Sequence, residues 1–97
     1  MFRNFKINIM KKHTKVVMDF YGYGIDDIIL CGNCKDVAVD VHHIDSRGMG
    51  GSKCKDYIEN LIPLCRTCHD IAHSNKDFNN KLKIINLQNI LTKLFEQ

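Results

Sequence analysis

Four of the five cysteines in this 97-residue chain stand in two C-x-x-C pairs, Cys31/Cys34 and Cys65/Cys68, with thirty residues between them. That spacing offers four soft sulfur ligands in two pairs, the donor set of a closed tetrahedral structural zinc. Such a site has no open coordination position, so it staples a fold and performs no catalysis. A thiol-redox use of the same pairs is disfavoured, because no thioredoxin-like βαβ pattern surrounds either one. Cys54 is the odd cysteine and reads as a surface or packing thiol.

Four of the five histidines, His42, His43, His69 and His73, flank the same cysteine framework, whereas His13 lies apart in sequence. A lone histidine is more often a satisfied polar residue than a ligand. Here, however, a pair on a strand and an i, i+4 pair on a helix converge once a zinc joins their flanks. The expectation is a second metal site that keeps open positions.

These groups need elements to hold them. Met10, Val16, Val17 and Phe20 suit a short helix over residues 10–20, stopped by Gly22 and Gly24. Ile28 to Leu30 is an apolar run entering the first knuckle, where Gly32-Asn33 is expected to make the tight turn that lets both sulfurs face one ion. Val37, Val39 and Val41 alternate with Ala38, Asp40 and His42, the period of a strand with one apolar face. The stretch SRGMGGS, residues 46–52, holds three glycines and reads as a loop, and residues 61–64 form a second strand. A helix from Arg66 to about Ser74 places Cys65, Cys68, His69 and His73 at i, i+3, i+4 and i+8, close to one side. Phe78, Leu82, Ile85, Leu87, Ile90, Leu91, Leu94 and Phe95 mark an amphipathic helix over residues 77–96, with Asn86 as a break point, read as core packing. The abundance of Asn, Lys and Ile in residues 75–89 reads as base composition of the source genome more than a physical demand.

A chain of this length holds one domain, because a second core would leave each half too small to bury its apolar surface. The N-terminal residues mix lysines with apolar side chains, which suits neither a secretory h-region nor a membrane span. Thiolate ligands suit a reducing, cytoplasmic location. Formal charge is +3, and four thiolates with one zinc would bring it to roughly +1. Binding to nucleic acid must therefore draw on local clusters, Arg3, Lys6, Lys11, Lys12 and Lys15, or Arg47, Lys53 and Lys55.

Over Ile29 to His73, nearly half the chain, the sequence resembles the HNH endonuclease family, in the subgroup with two C-x-x-C knuckles. DVHHID is the first matching element and IENLIPLCRTCHDIAH the second, with His69 and His73 nine and thirteen residues after Asn60. The glycine-rich SRGMGGS is similar to a connection seen in small phage-encoded members. The resemblance implies an α+β fold of the ββα-metal (His-Me finger) type with a structural zinc and flanking helices. It also implies that His43 is the general base, that Asn60 orients the base-bearing loop, and that His42, His69 and His73 hold a catalytic divalent ion. Asp45 stands where many members carry a proline, which changes loop stiffness more than chemistry.

An imidazole near pKa of about 6.5 can take a proton from water at neutral pH. An ion on three imidazoles favours Mn2+, Ni2+, Co2+ or Zn2+ in vitro over oxygen-loving Mg2+. Asp40 is expected as an outer partner of His42, and Arg47 as a phosphate clamp. Glu59 and Asp70 read as solvated. The implied activity is metal-dependent hydrolysis of DNA, double-stranded in preference to RNA, with a homodimer or protein partner needed for sequence specificity because so small a module covers little DNA. The alternative is a non-catalytic, zinc-ribbon-like module that binds nucleic acid or protein. The simultaneous presence of His43, Asn60 and His69 separates the two, since a binding module needs no base, no orienting amide and no open metal site.

Overall fold

The computed structural model describes residues 11–45 and 55–96. Its elements are α1 (Lys12–Tyr21), β1 (Asp40–His43), a 3-10 turn (Ile58–Asn60), β2 (Leu61–Leu64), α2 (Arg66–Ser74) and α3 (Lys76–Phe95). The strands pair antiparallel, with His43 opposite Leu61 and Asp40 opposite Leu64, and α2 follows directly from β2. This is a small α+β fold of the ββα-metal type.

α1 ends where expected, at Gly22, whose φ of 77° is the left-handed conformation that closes a helix at little cost without a Cβ. The helix buries Thr14, Val17 and Met18. Val17 packs with Val41 and Leu61, so α1 covers one side of the ribbon. On the other side, Ile44, Ile62, Leu64, Ala72 and Leu82 surround the cysteines, and β2 is buried at all four residues.

The first strand departs from the simple alternation. Val37 and Val39 are exposed, while Ala38, Val41 and His42 are buried. The chain is bound on both edges before β1 begins: Leu30 bridges Val37, Ala38 donates its N–H to Ile29 O, and Val39 donates to Leu64 O. Residues 37–39 thus belong to the approach to the knuckle, and only Asp40–His43 obeys the pleat of the ribbon. The knuckle turn also differs from expectation. Its left-handed residue is Lys35, φ 71°, rather than Gly32 or Asn33. Gly32 is required for closeness instead, since a Cβ there would lie 2.7 Å from Ile62 Cγ1.

α3 runs unbroken through Asn86. Leu82, Asn86 and Ile90 form its buried stripe, whereas Leu87, Leu91, Leu94 and Phe95 are exposed, so the expected apolar face is only partly used for the core. No helix among the described residues is long and apolar enough to cross a membrane.

Candidate metal and catalytic site

The four knuckle cysteines come together from two segments: the loop after Ile29 and the N-terminus of α2. Their sulfurs all lie within 4.8 Å of one another. Cys65 caps α2, its Sγ accepting from Cys68 N at 3.4 Å. Backbone N–H groups of Asn33 and Cys34 point at Cys31 Sγ (3.4 and 3.5 Å), and Asn33 Nδ2 donates to Cys68 Sγ at 3.4 Å. Donors aimed at sulfur and a helix N-terminus beneath it favour thiolates. Burial pushes the Cys31 thiol up, but the N–H groups of Cys34, Cys65 and Asn33 outweigh it and bring the pKa down to about 7. Cys68 moves the other way: burial and the neighbouring sulfurs of Cys65 and Cys31 push it up to about 12, against the donor from Asn33. Four sulfurs this close cannot all ionise without a cation among them, so the donor set fits a zinc-like ion.

Directly after Cys68 on α2 the side-chain type changes from sulfur to imidazole. His69 and His73 share one face, their Nε2 atoms 3.0 Å apart, and the His42 ring from β1 meets both, with ring centroids 5.3 and 5.2 Å away. One ligand nitrogen from each falls within 4.8 Å of the others. Burial, followed by its imidazole neighbours, lowers the pKa of His42 despite the hydrogen bond it donates to Asn79, which raises it. Burial and His73 lower that of His69. Both are therefore neutral at pH 7, the state in which imidazole binds a metal.

His42 has a partner that the chain order did not reveal. Asn79, on α3, donates from Nδ2 to Ile44 O at 2.9 Å, and that bond points its Oδ1 at His42 Nε2, 2.7 Å away. A carboxamide oxygen only accepts, so His42 carries its proton on Nε2 and keeps the Nδ1 lone pair for an ion. Burial lowers the pKa of His69 and of His13, and the charge of Asp40 nearby partly opposes both shifts, while its Oδ1 accepts from Val41 N at 2.8 Å.

His43, next on the strand, faces the other way. Its Nε2 lies 2.7 Å from Asp56 Oδ1, and its ring packs on His13 with centroids 4.7 Å apart. His13 is thus not remote, as the sequence order suggested. The arithmetic of the two elements explains why: four helical residues advance about 6 Å and two strand residues about 6.6 Å. If Val17 packs on Val41, then His13 must reach His43. That relation was available in the sequence as i, i+4 beside i, i+2, but only after α1 is known to lie along β1.

Asn60 is 2% exposed and spends every side-chain polar atom on the chain that follows His43 and precedes Asp56. Its Oδ1 accepts from Asp45 N at 2.7 Å, and its Nδ2 donates to Asp45 O (3.1 Å) and Lys55 O (3.0 Å). One side chain thereby joins the two ends of the stretch 46–54. The turn carrying Asn60 is held in turn by Asn86, whose Nδ2 donates to Ile58 O and Glu59 O at 3.2 and 3.1 Å. Arg47, Cys54 and the SRGMGGS loop lie outside the described residues, as do Arg3, Lys6 and Lys53.

Residues 29–75 match the family described as HNH endonuclease. This stretch is an HNH domain. The match supports a nuclease-type function acting on nucleic acid, together with metal binding, and the cysteine cluster within it fits a structural zinc. His13 and Asn79, which touch the two histidines of the HNH strand, lie outside the matched residues. No curated protein and no solved structure matches the chain.

Proposed function

We propose that the chain is a metal-dependent endonuclease that hydrolyses DNA phosphodiester bonds, with His43 as general base. The observation that carries this reading is one step of strand: His42 joins a three-imidazole cluster while its neighbour His43 is set apart and oriented by a carboxylate. An ionised Asp56 can only accept, so Nε2 of His43 donates to it and Nδ1 is left with the lone pair that takes a proton from water. The carboxylate then stabilises the imidazolium formed as that water attacks phosphorus. Asn60 ties the chain just after His43, at Asp45, to the chain just before Asp56, at Lys55, so the base and its carboxylate stay aligned.

A divalent ion held by His42, His69 and His73 would offset the charge that grows on a phosphate oxygen and on the departing 3′-oxygen. As the bond breaks the departing 3′-oxygen takes a proton from solvent water, His43 gives the proton it holds back to solvent, and the products are a 5′-phosphate and a 3′-hydroxyl. Asp40, close enough to influence His69, offsets the positive charge that gathers on the histidine cluster. Arg47 remains a proposed phosphate contact.

Supercoiled plasmid gives the test. Metal-stripped protein is reconstituted with Mg2+, Mn2+, Ni2+, Co2+ or Zn2+, and nicked and linear products are followed for the parent and for His43→Ala. Cleavage that requires the ion and falls by about 10²–10⁴-fold in the variant supports the reading. A parent that binds plasmid but cuts with no ion, while retaining its cysteine-bound zinc, overturns it in favour of a binding module.

A further inference from the structure

Besides the cysteine and three-histidine groups, a third set of ligand atoms converges. His13 from α1, His43 from the end of β1 and Asp56 each bring one ligand atom within 4.8 Å of the other two. The three share no residue with the His42, His69 and His73 cluster. The side chains of His43 and Asp56 are only 13% and 5% exposed. Two imidazoles and a carboxylate are the donor set of borderline transition ions, zinc foremost, and three protein ligands leave a position for water.

We propose that His13, His43 and Asp56 form an inhibitory zinc site, distinct from both the cysteine staple and the three-histidine cluster. The silencing half of this proposal rests on His43 being the base. Its chemistry follows from proton counting on one ring. A neutral imidazole carries one proton and one lone pair. If zinc takes Nδ1, it occupies the lone pair that would receive the proton from water. If it takes Nε2, it displaces the proton that Asp56 now accepts, the proton moves to Nδ1, and that nitrogen can no longer act as a base. Either mode of binding blocks proton abstraction without touching the ion that would activate the phosphate. The same element that braces the fold at the cysteines thus switches off cleavage when it is in excess.

His13 is the residue to change, because it lies outside the groups assigned to proton transfer and to the three-histidine ion. Stripped parent, His13→Ala and His13→Gln proteins are titrated with zinc chloride, and bound zinc per chain is measured after dialysis. Circular dichroism shows that each is folded, and the glutamine variant stands in if alanine loosens α1. The parent is expected to bind one more zinc than either variant, and zinc is expected to shift the ring-nitrogen resonances of His13 and His43. In a Mn2+-supported cleavage assay, with each protein normalised to its own zinc-free rate, the variants should need at least about tenfold more zinc for half-inhibition. Equal zinc content in folded parent and variants, with no shift at either ring, overturns the site. An extra zinc in the parent with equal inhibition of all three overturns the silencing role and leaves the site standing. A parent that never cuts but still binds the extra zinc supports the site and removes the nuclease reading alone.

Discussion

The two ends of α2 carry metal-ligating side chains of different character, and under the proposed function the contrast separates what holds the molecule from what works in it. At the N-terminal end, sulfurs from Cys65 and Cys68 meet Cys31 and Cys34, with amide donors aimed at them and Ile62, Leu64 and Leu82 packed alongside. At the C-terminal end, His69 is half-buried, His73 is exposed, and the single buried ligand is His42. Four ligands would enclose an ion at the first; under the proposed function, three would leave one reachable at the second. In that reading one helix of nine residues serves as both bracket and workbench.

The sharpest test of that division is Cys31→Ser. Structural zinc contributes apparent binding free energies of about 10–16 kcal/mol, as much as the whole stability of a typical small domain. The variant, or the parent after strong chelation, should lose its cooperative thermal transition and most of its helical circular dichroism. Removing the three-histidine cluster's capacity by changing His73, in contrast, should leave the transition in place; loss of fold there would erase the distinction.

A smaller effect is expected from Asn79→Ala, which removes the acceptor that holds the His42 tautomer. Loss of such an outer partner costs on the order of 10–100-fold in metal affinity. Calorimetric titration should show weaker binding at the histidine end while one cysteine-bound zinc is retained. Equal weakening at both ends would mean that Asn79 supports the fold in general.

The smallest effect concerns acid. Burial lowers the pKa values of His13, His42 and His69 from 6.5. In each case the unfolded chain binds protons more readily than the folded one, so the stabilising contribution is complete above about pH 6.5 and declines as pH falls towards the depressed folded values. With only the cysteine zinc bound, thermal midpoints should drop from pH 7 to pH 5.5. Saturating the histidine end with metal should hold the midpoint steady over the upper part of that interval, because bound ions exclude protons. A midpoint that rises on acidification would contradict the assigned direction.

The parts that the sequence made legible are those whose determinants sit close together. C-x-x-C spacing, the i, i+4 pair His69/His73, the extents of β2 and α2, and the glycine stop at Gly22 all depend on local geometry. The parts that escaped depend on contacts between distant segments. His13 looked isolated because it stands thirty positions before His43, and only the packing of α1 on β1 closes that gap. Asp56 lies between the glycine-rich loop and the second strand, where no spacing singles it out, yet its side chain is buried on His43. The valine alternation misled because backbone pairing of residues 37–39 with the knuckle and β2 overrides the pleat. The asparagines of the final helix, read as compositional noise, turned out to be structural: Asn75 caps α3, and Asn79, Asn86 and Asn89 reach across to other segments.

Those last three side chains have something further in common. Each spends its amide hydrogens on main-chain oxygens: Asn79 on Ile44, Asn86 on Ile58 and Glu59, and Asn89 on Gly32. A main-chain oxygen is the same whatever residue bears it. The final helix must keep its carboxamides, while Ile44, Ile58 and Glu59 can be exchanged without losing these bonds. Substitution tolerance across this contact should be lopsided, strict on the helix and permissive on the ribbon and turn that it clasps.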